Sequence, residues 1–186
     1  LILLQLFPGK VSSRSAEITE VSQRLIQGVE ALEEAKYGEA VGLLQDYPEE
    51  EPLSDYSHLL LAKAYLGSER YRDAQGTLNR LSAGAGSSIL DFEKSYLEAR
   101  LFLQAGEPVK AAEAARSAGQ MAVTRKESTK LYDLMVEIEL GRGDYESALE
   151  SALSLAEALN LRFVGTRRDR LFKRIDEIID RLDEKS

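Results

Sequence analysis

The chain has no cysteine, no tryptophan and a single histidine in 186 residues. Without cysteine there is no disulfide, no thiolate metal site and no cysteine nucleophile, and the redox compartment stays undecided. His58 has no nucleophile pattern around it, so a packing role on a helix is a better reading than a catalytic one. A phosphate-binding loop and a zinc motif are missing too. With no set of nucleophile, base and stabiliser, an enzyme is not expected, and no cofactor or metal is implied. Net positive charge is lacking: a formal charge of -8 argues against indiscriminate attraction to nucleic acid. Long apolar runs are lacking as well. The opening run Leu1-Ile2-Leu3-Leu4-Gln5-Leu6-Phe7 breaks at Pro8-Gly9, whereas a bilayer span needs about 20 residues.

What is present favours helix. There are only 4 prolines, and alanine, leucine and glutamate recur throughout. Hydrophobic residues at 44% and charged residues at 30% give the balance of a soluble domain large enough to bury a core.

Four short stretches repeat: Tyr37-Gly38-Glu39-Ala40, Tyr71-Arg72-Asp73-Ala74, Pro108-Val109-Lys110-Ala111 and Tyr145-Glu146-Ser147-Ala148. Their alanines lie 34, 37 and 37 residues apart. An apolar helical pattern precedes and follows each. Gly106 and Gly143, just ahead of the third and fourth, suit tight turns between two helices. Leu61-Ala62, Tyr65, Tyr71, Ala74, Leu78 and Leu81 carry the fullest version. Tyr132, Met135-Val136, Gly143-Asp144-Tyr145, Ala148, Ala152 and Leu155 carry another, with Gly28, Ala31, Tyr37, Ala40, Leu44 and Tyr47 before them. Ala99, Phe102, Gly106, Ala111, Ala115 and Ala118 form the third unit, where Pro108 replaces the usual tyrosine in the first turn of a helix, a position proline tolerates.

Over roughly residues 21 to 162 this pattern resembles the tetratricopeptide (TPR) family, whose unit is two antiparallel helices. The resemblance implies an all-α, TPR-like α-solenoid, a right-handed superhelix of antiparallel helix pairs. Four units are expected at about 21–54, 55–88, 92–125 and 129–162, within residues 16–163. An apolar N-terminal segment (1–15) precedes them, and a C-terminal capping helix (164–186) follows, with helix over about 166–184. Small residues (Gly28, Ala62, Ala99 and the four repeated alanines) let paired helices approach, and stacking of pairs buries faces that one pair cannot. Units three and four are long, and the stretches Ala83–Ser88 and Thr124–Ser128 are expected to be loops that absorb the excess. The first helix, from about Ala16 to Ala35, is also expected to be long.

The resemblance further implies a protein or peptide partner held on an inner surface formed by the first helix of each pair. Its register puts Leu25, Val29, Tyr56, Leu59, Lys63, Tyr96, Arg100, Lys130, Asp133 and Glu137 there. This mixture of aromatic, aliphatic and charged groups suits an extended or helical peptide with apolar anchors. A TPR subclass grips acidic chaperone tails with a lysine–asparagine clamp. The matching positions, Leu25, Val29 and Leu60, carry no side-chain donor, so that role is not expected. A non-catalytic scaffold or adaptor is the leading expectation. The alternatives are a regulatory or recognition domain of a larger signalling or transcription protein, and a ligand-binding partner of a transporter.

Two features lie outside the repeats. Arg162, Arg167, Arg168, Arg170, Lys173 and Arg174 stand against one acid, Asp169, giving +5 locally and leaving -13 for the rest. This patch fits an anion or an acidic partner, or simply a solvated face of the capping helix balanced by Asp176, Glu177 and Asp180, with Phe172 expected to be buried. The apolar opening fits a trimmed signal or anchor, which leans toward a tethered or periplasmic bacterial protein with a cytoplasmic alternative. It fits equally a docking segment that gives self-association through residues 1–9. The acids Asp46, Glu49, Glu50 and Glu51 lack calcium-loop spacing and read as loop solvation.

Overall fold

Each of the four repeated stretches begins a helix, and each is entered through the same turn. The structure, a computed structural model, describes residues 8–50, 52–81, 88–159 and 166–184. Ala35, Glu69, Gly106 and Gly143, each two residues ahead of the new helix, have φ of 56, 59, 77 and 70°. The amide of each donates to the carbonyl three residues back: Leu32 at 3.2 Å, Leu66 at 3.1 Å, Leu103 at 3.1 Å and Leu140 at 3.0 Å. The next amide reaches five residues back, from Lys36 to Ala31, Arg70 to Tyr65 and Glu107 to Phe102, each at 2.8 Å, and from Asp144 to Glu139 at 3.0 Å. These two bonds define the Schellman ending, which satisfies carbonyls that a helix C-terminus otherwise leaves without partners. The repeated alanines then donate to Lys36, Arg70, Glu107 and Asp144, all at 3.0 Å. One hydrogen-bond scheme therefore occurs four times.

Among the described residues the chain is all-α, with nine helices and no strand, and it divides into two compact units, Leu1–Ser82 and Ala83–Ser186. The first unit holds α1 (Pro8–Glu33), α2 (Tyr37–Leu44), α3 (Ser54–Gly67) and α4 (Tyr71–Arg80). The second holds α5 (Ser88–Gln104), α6 (Pro108–Met121), α7 (Arg125–Arg142), α8 (Tyr145–Leu159) and α9 (Thr166–Asp183). Within each unit every helix packs on the next in sequence, and α1 also meets α3 as α5 meets α7. The long first helix and the helix at 166–183 match the sequence expectation. However, α1 (Pro8–Glu33) already includes residues 8–15, which are helix rather than tail.

The core follows the small-residue register. Ala40, Ala74, Ala111 and Ala148 are fully buried, as are Ala62, Ala99 and Val136 twelve positions before the last three. Gly28 holds the corresponding position in α1. A Cβ there would lie 2.6 Å from Leu44 Cδ2, so the missing side chain is what lets α2 seat this buried leucine. Leu44, Leu78, Ala115 and Ala152 share one register position in the second helices, and all are buried. Glycine thus opposes leucine in the first hairpin, while valine and alanine occupy the same two positions in the fourth.

The extra length of the later repeats goes into helix rather than loop. Thr124, expected in a loop with Ser128, is the N-cap of α7. Its hydroxyl accepts from the Glu127 amide at 3.1 Å, and the Glu127 carboxylate accepts from the Thr124 amide at 2.8 Å. This reciprocal pair starts the helix at Arg125. The connection between α6 and α7 shrinks to residues 122–124, against 45–53 between α2 and α3. Ser88, placed in the other expected loop, belongs to α5; the rest of that stretch, 83–87, lies outside the described residues.

Candidate partner-binding face

In the second unit the residues assigned to an inner surface come together on α5 and α7. Phe92 is fully buried and anchors the site, with its ring stacked on Tyr96 at 6.0 Å between centroids and 20° between planes. Lys130 of α7 reaches across so that its Nζ lies 4.5 Å from the Tyr96 centroid and 5.9 Å from that of Phe92. The same ammonium donates to Glu93 Oε1 at 2.7 Å. The ion pair holds the cation over the ring, and the ring face attracts it in turn. Burial raises the Tyr96 pKa above the ordinary tyrosine value. Arg100 works against that shift, while Glu93, Asp133 and Glu137 add to it. The phenol thus stays neutral near pH 7 and keeps both a donor and an acceptor at its tip. Arg100, Asp133 and Glu137 are exposed around it.

One wall of the face is completed by α9. Arg174 Nη1 lies 3.4 Å from Asp133 Oδ1. Beside this pair an open cleft of about 580 Å³ is floored by Leu155, Leu159 and Leu171 and rimmed by Asp133, Glu137, Arg170, Lys173, Arg174 and Glu177. Two sets of residues from separate parts of the sequence, the α7 acids and the basic start of α9, are therefore neighbours. Arg168 sits beside Asp169 at 3.4 Å. Arg162 and the Arg167 side chain lie outside the described residues, as does the apolar segment 1–7.

The first unit treats its candidates differently. Leu25 and Leu59 are 7% and 2% exposed and have no surface to offer a partner, which corrects their assignment to a groove. Leu25 belongs to the core that α1 forms with α2 and α3. Leu59 lies in α3, where Ser57 and the run from Leu59 through Ala62 are all buried, so the helix is enclosed on more than one side. Val29 is half-buried against the Leu25 cluster, Lys63 is half-buried, and Tyr56 is exposed. His58 is half-buried on α3 with its Nδ1 enclosed and without a hydrogen-bond partner. Among the described residues no three histidine, aspartate or glutamate side chains gather as a metal site would require, and no described helix is long and apolar enough to cross a membrane.

Phe92 and Glu93, which seat Tyr96 and Lys130, were not singled out from the sequence. The available signal was the period: Glu93 and Lys130 are 37 residues apart, the same spacing as the repeats. Tyr96 with Asp133 and Arg100 with Glu137 share that spacing. Phe172 corrects the sequence expectation in the opposite direction, because it is 44% exposed. No family model matches this chain, and no curated protein does either.

Proposed function

We propose that the chain is a TPR-like α-solenoid of four helix pairs with α9 as its cap, serving as a non-catalytic scaffold that binds an extended or helical segment of a protein partner. The observation that carries this reading is the α5–α7 face. There Tyr96, stacked on the buried Phe92, with a Lys130 held by Glu93 and exposed Arg100, Asp133 and Glu137, forms an aromatic and charged surface. The fourfold turn scheme supports the repeat reading. Anchoring residues at productive interfaces are typically aromatic or arginine and are held in place before binding. The partner segment is expected to carry an apolar or aromatic side chain for the Tyr96 ring and charges of both signs for Arg100 and the α7 acids.

The test is recovery of partners on the immobilised wild-type chain, on Tyr96→Ala/Arg100→Glu, on Tyr56→Ala, and on Glu113→Lys at an exposed α6 position. A groove partner is expected to be kept by Glu113→Lys and lost, by about tenfold or more, with the Tyr96/Arg100 variant. Equal recovery of every protein by all four baits would reject the assignment.

A further inference from the structure

We propose that α9 is a self-association helix that pairs antiparallel with α9 of a second copy of this chain. The core-facing residues of α9 are Leu171, Ile175, Ile178 and Leu182. Yet Phe172 and Ile179 are 44% and 41% exposed. Seven residues apart, they share one stripe of the helix, extended by Arg168 at one end and Asp183 at the other. The stripe is not built to receive the second helix of another hairpin. One repeat period after the buried Val136, the position where such a helix would sit close, stands Lys173, whose side chain is 80% exposed.

The charges identify the occupant. The first half of α9 carries Arg167, Arg168, Arg170, Lys173 and Arg174 against Asp169, a net of +4. From Ile175 to Glu184, Asp176, Glu177, Asp180, Asp183 and Glu184 stand against Arg181, a net of -4. This order does not serve the helix itself. Cations near a helix N-terminus and acids near its C-terminus oppose the macrodipole, and Lys173 ahead of Glu177 is the weaker order for an i,i+4 pair. It does serve an antiparallel copy. A two-fold axis between Ile175 and Asp176 places Phe172 opposite the second copy's Ile179 and Arg168 opposite the second copy's Asp183. Each basic half then faces an acidic half. Such an isologous contact uses the same patch twice. It is small, about the width of one helix stripe along roughly 27 Å, so the dimer is weak and depends on concentration. The contact uses a different side of α9 from the cleft beside Asp133.

Sedimentation equilibrium of the full chain from about 1 µM to about 1 mM tests this. The wild type is expected to pass from monomer to dimer. Arg168→Asp and Asp183→Arg, each leaving two like-charge pairs in the dimer, are expected to weaken association at least about tenfold while helical circular dichroism is unchanged. An equimolar mixture of the two variants recreates both opposite pairs, as does the double variant Arg168→Asp/Asp183→Arg with itself, so both are expected to dimerise again. A monomeric wild type, single variants that associate like wild type, or a mixture that stays monomeric would overturn the proposal.

Discussion

Ala35 and Glu69 adopt the left-handed conformation that Gly106 and Gly143 adopt in the other two turns. A side chain in that region costs on the order of 1 kcal/mol, partly offset because glycine has more freedom to lose from the unfolded state. Glu69→Gly and Ala35→Gly are therefore expected to stabilise the fold by about 0.5 to 1 kcal/mol each, and Gly106→Ala to destabilise it by about 1 kcal/mol, all read from urea unfolding midpoints. A second residue-level effect lies at Glu127. Hydrogen bonds from the Thr124 and Val123 amides to its carboxylate hold its pKa below the ordinary glutamate value. Because the folded chain favours the carboxylate, the stability this contributes is present above the unfolded pKa and is lost as pH falls through the lowered folded one. Carboxyl-carbon NMR is expected to show Glu127 titrating below the ordinary glutamate value. Glu127 is also expected to move back toward that value in Thr124→Pro, which removes the amide that donates to it at 2.8 Å.

At the level of elements, the hairpin is a matched pair of faces. Gly28 leaves room for Leu44, whereas the fourth hairpin places Val136 and Ala152 at the same positions. Gly28→Val alone is expected to overpack the interface by about 1–3 kcal/mol, and Leu44→Ala alone to cost about 2–5 kcal/mol through the cavity it leaves. The double variant transplants the fourth hairpin's pair into the first. It is expected to recover at least about 1 kcal/mol relative to the sum of the single variants in a double-mutant cycle. This register was legible in the sequence because small residues at fixed spacing leave a period that bulk composition does not hide. The start of α7 was less legible. Thr124 and Glu127 belong to a polar stretch that reads as loop until the reciprocal caps are seen to begin a helix there. The turns at Ala35 and Glu69 were also hidden, since neither residue type signals a positive φ.

For the whole molecule, charge acts at two ranges. Two copies with a formal charge of -8 repel at a distance, while the two halves of α9 attract at contact. Salt screens the first more than the second, with a Debye length of about 10 Å at 0.1 M. The proposed dimer is thus expected to tighten between about 10 and 150 mM salt, as sedimentation across that range would show. The candidate site was only partly legible at this scale. Tyr96, Lys130, Asp133 and Glu137 were assigned because one helix face carries them in each repeat, and the structure brings them together on α5 and α7. Leu25 and Leu59 were misplaced because apolar residues assigned to a groove look the same in sequence as residues enclosed by a neighbouring helix. The invariant turn has a last consequence, for length change. From the small residue of the first helix to the alanine of the second, every hairpin spans the same twelve positions. From one hairpin's alanine to the next one's small residue, the spacing is 22 positions for Ala40 to Ala62 and 25 for Ala111 to Val136. Insertions and deletions in this chain should therefore be tolerated between hairpins, in steps close to one helical turn, and rejected within them.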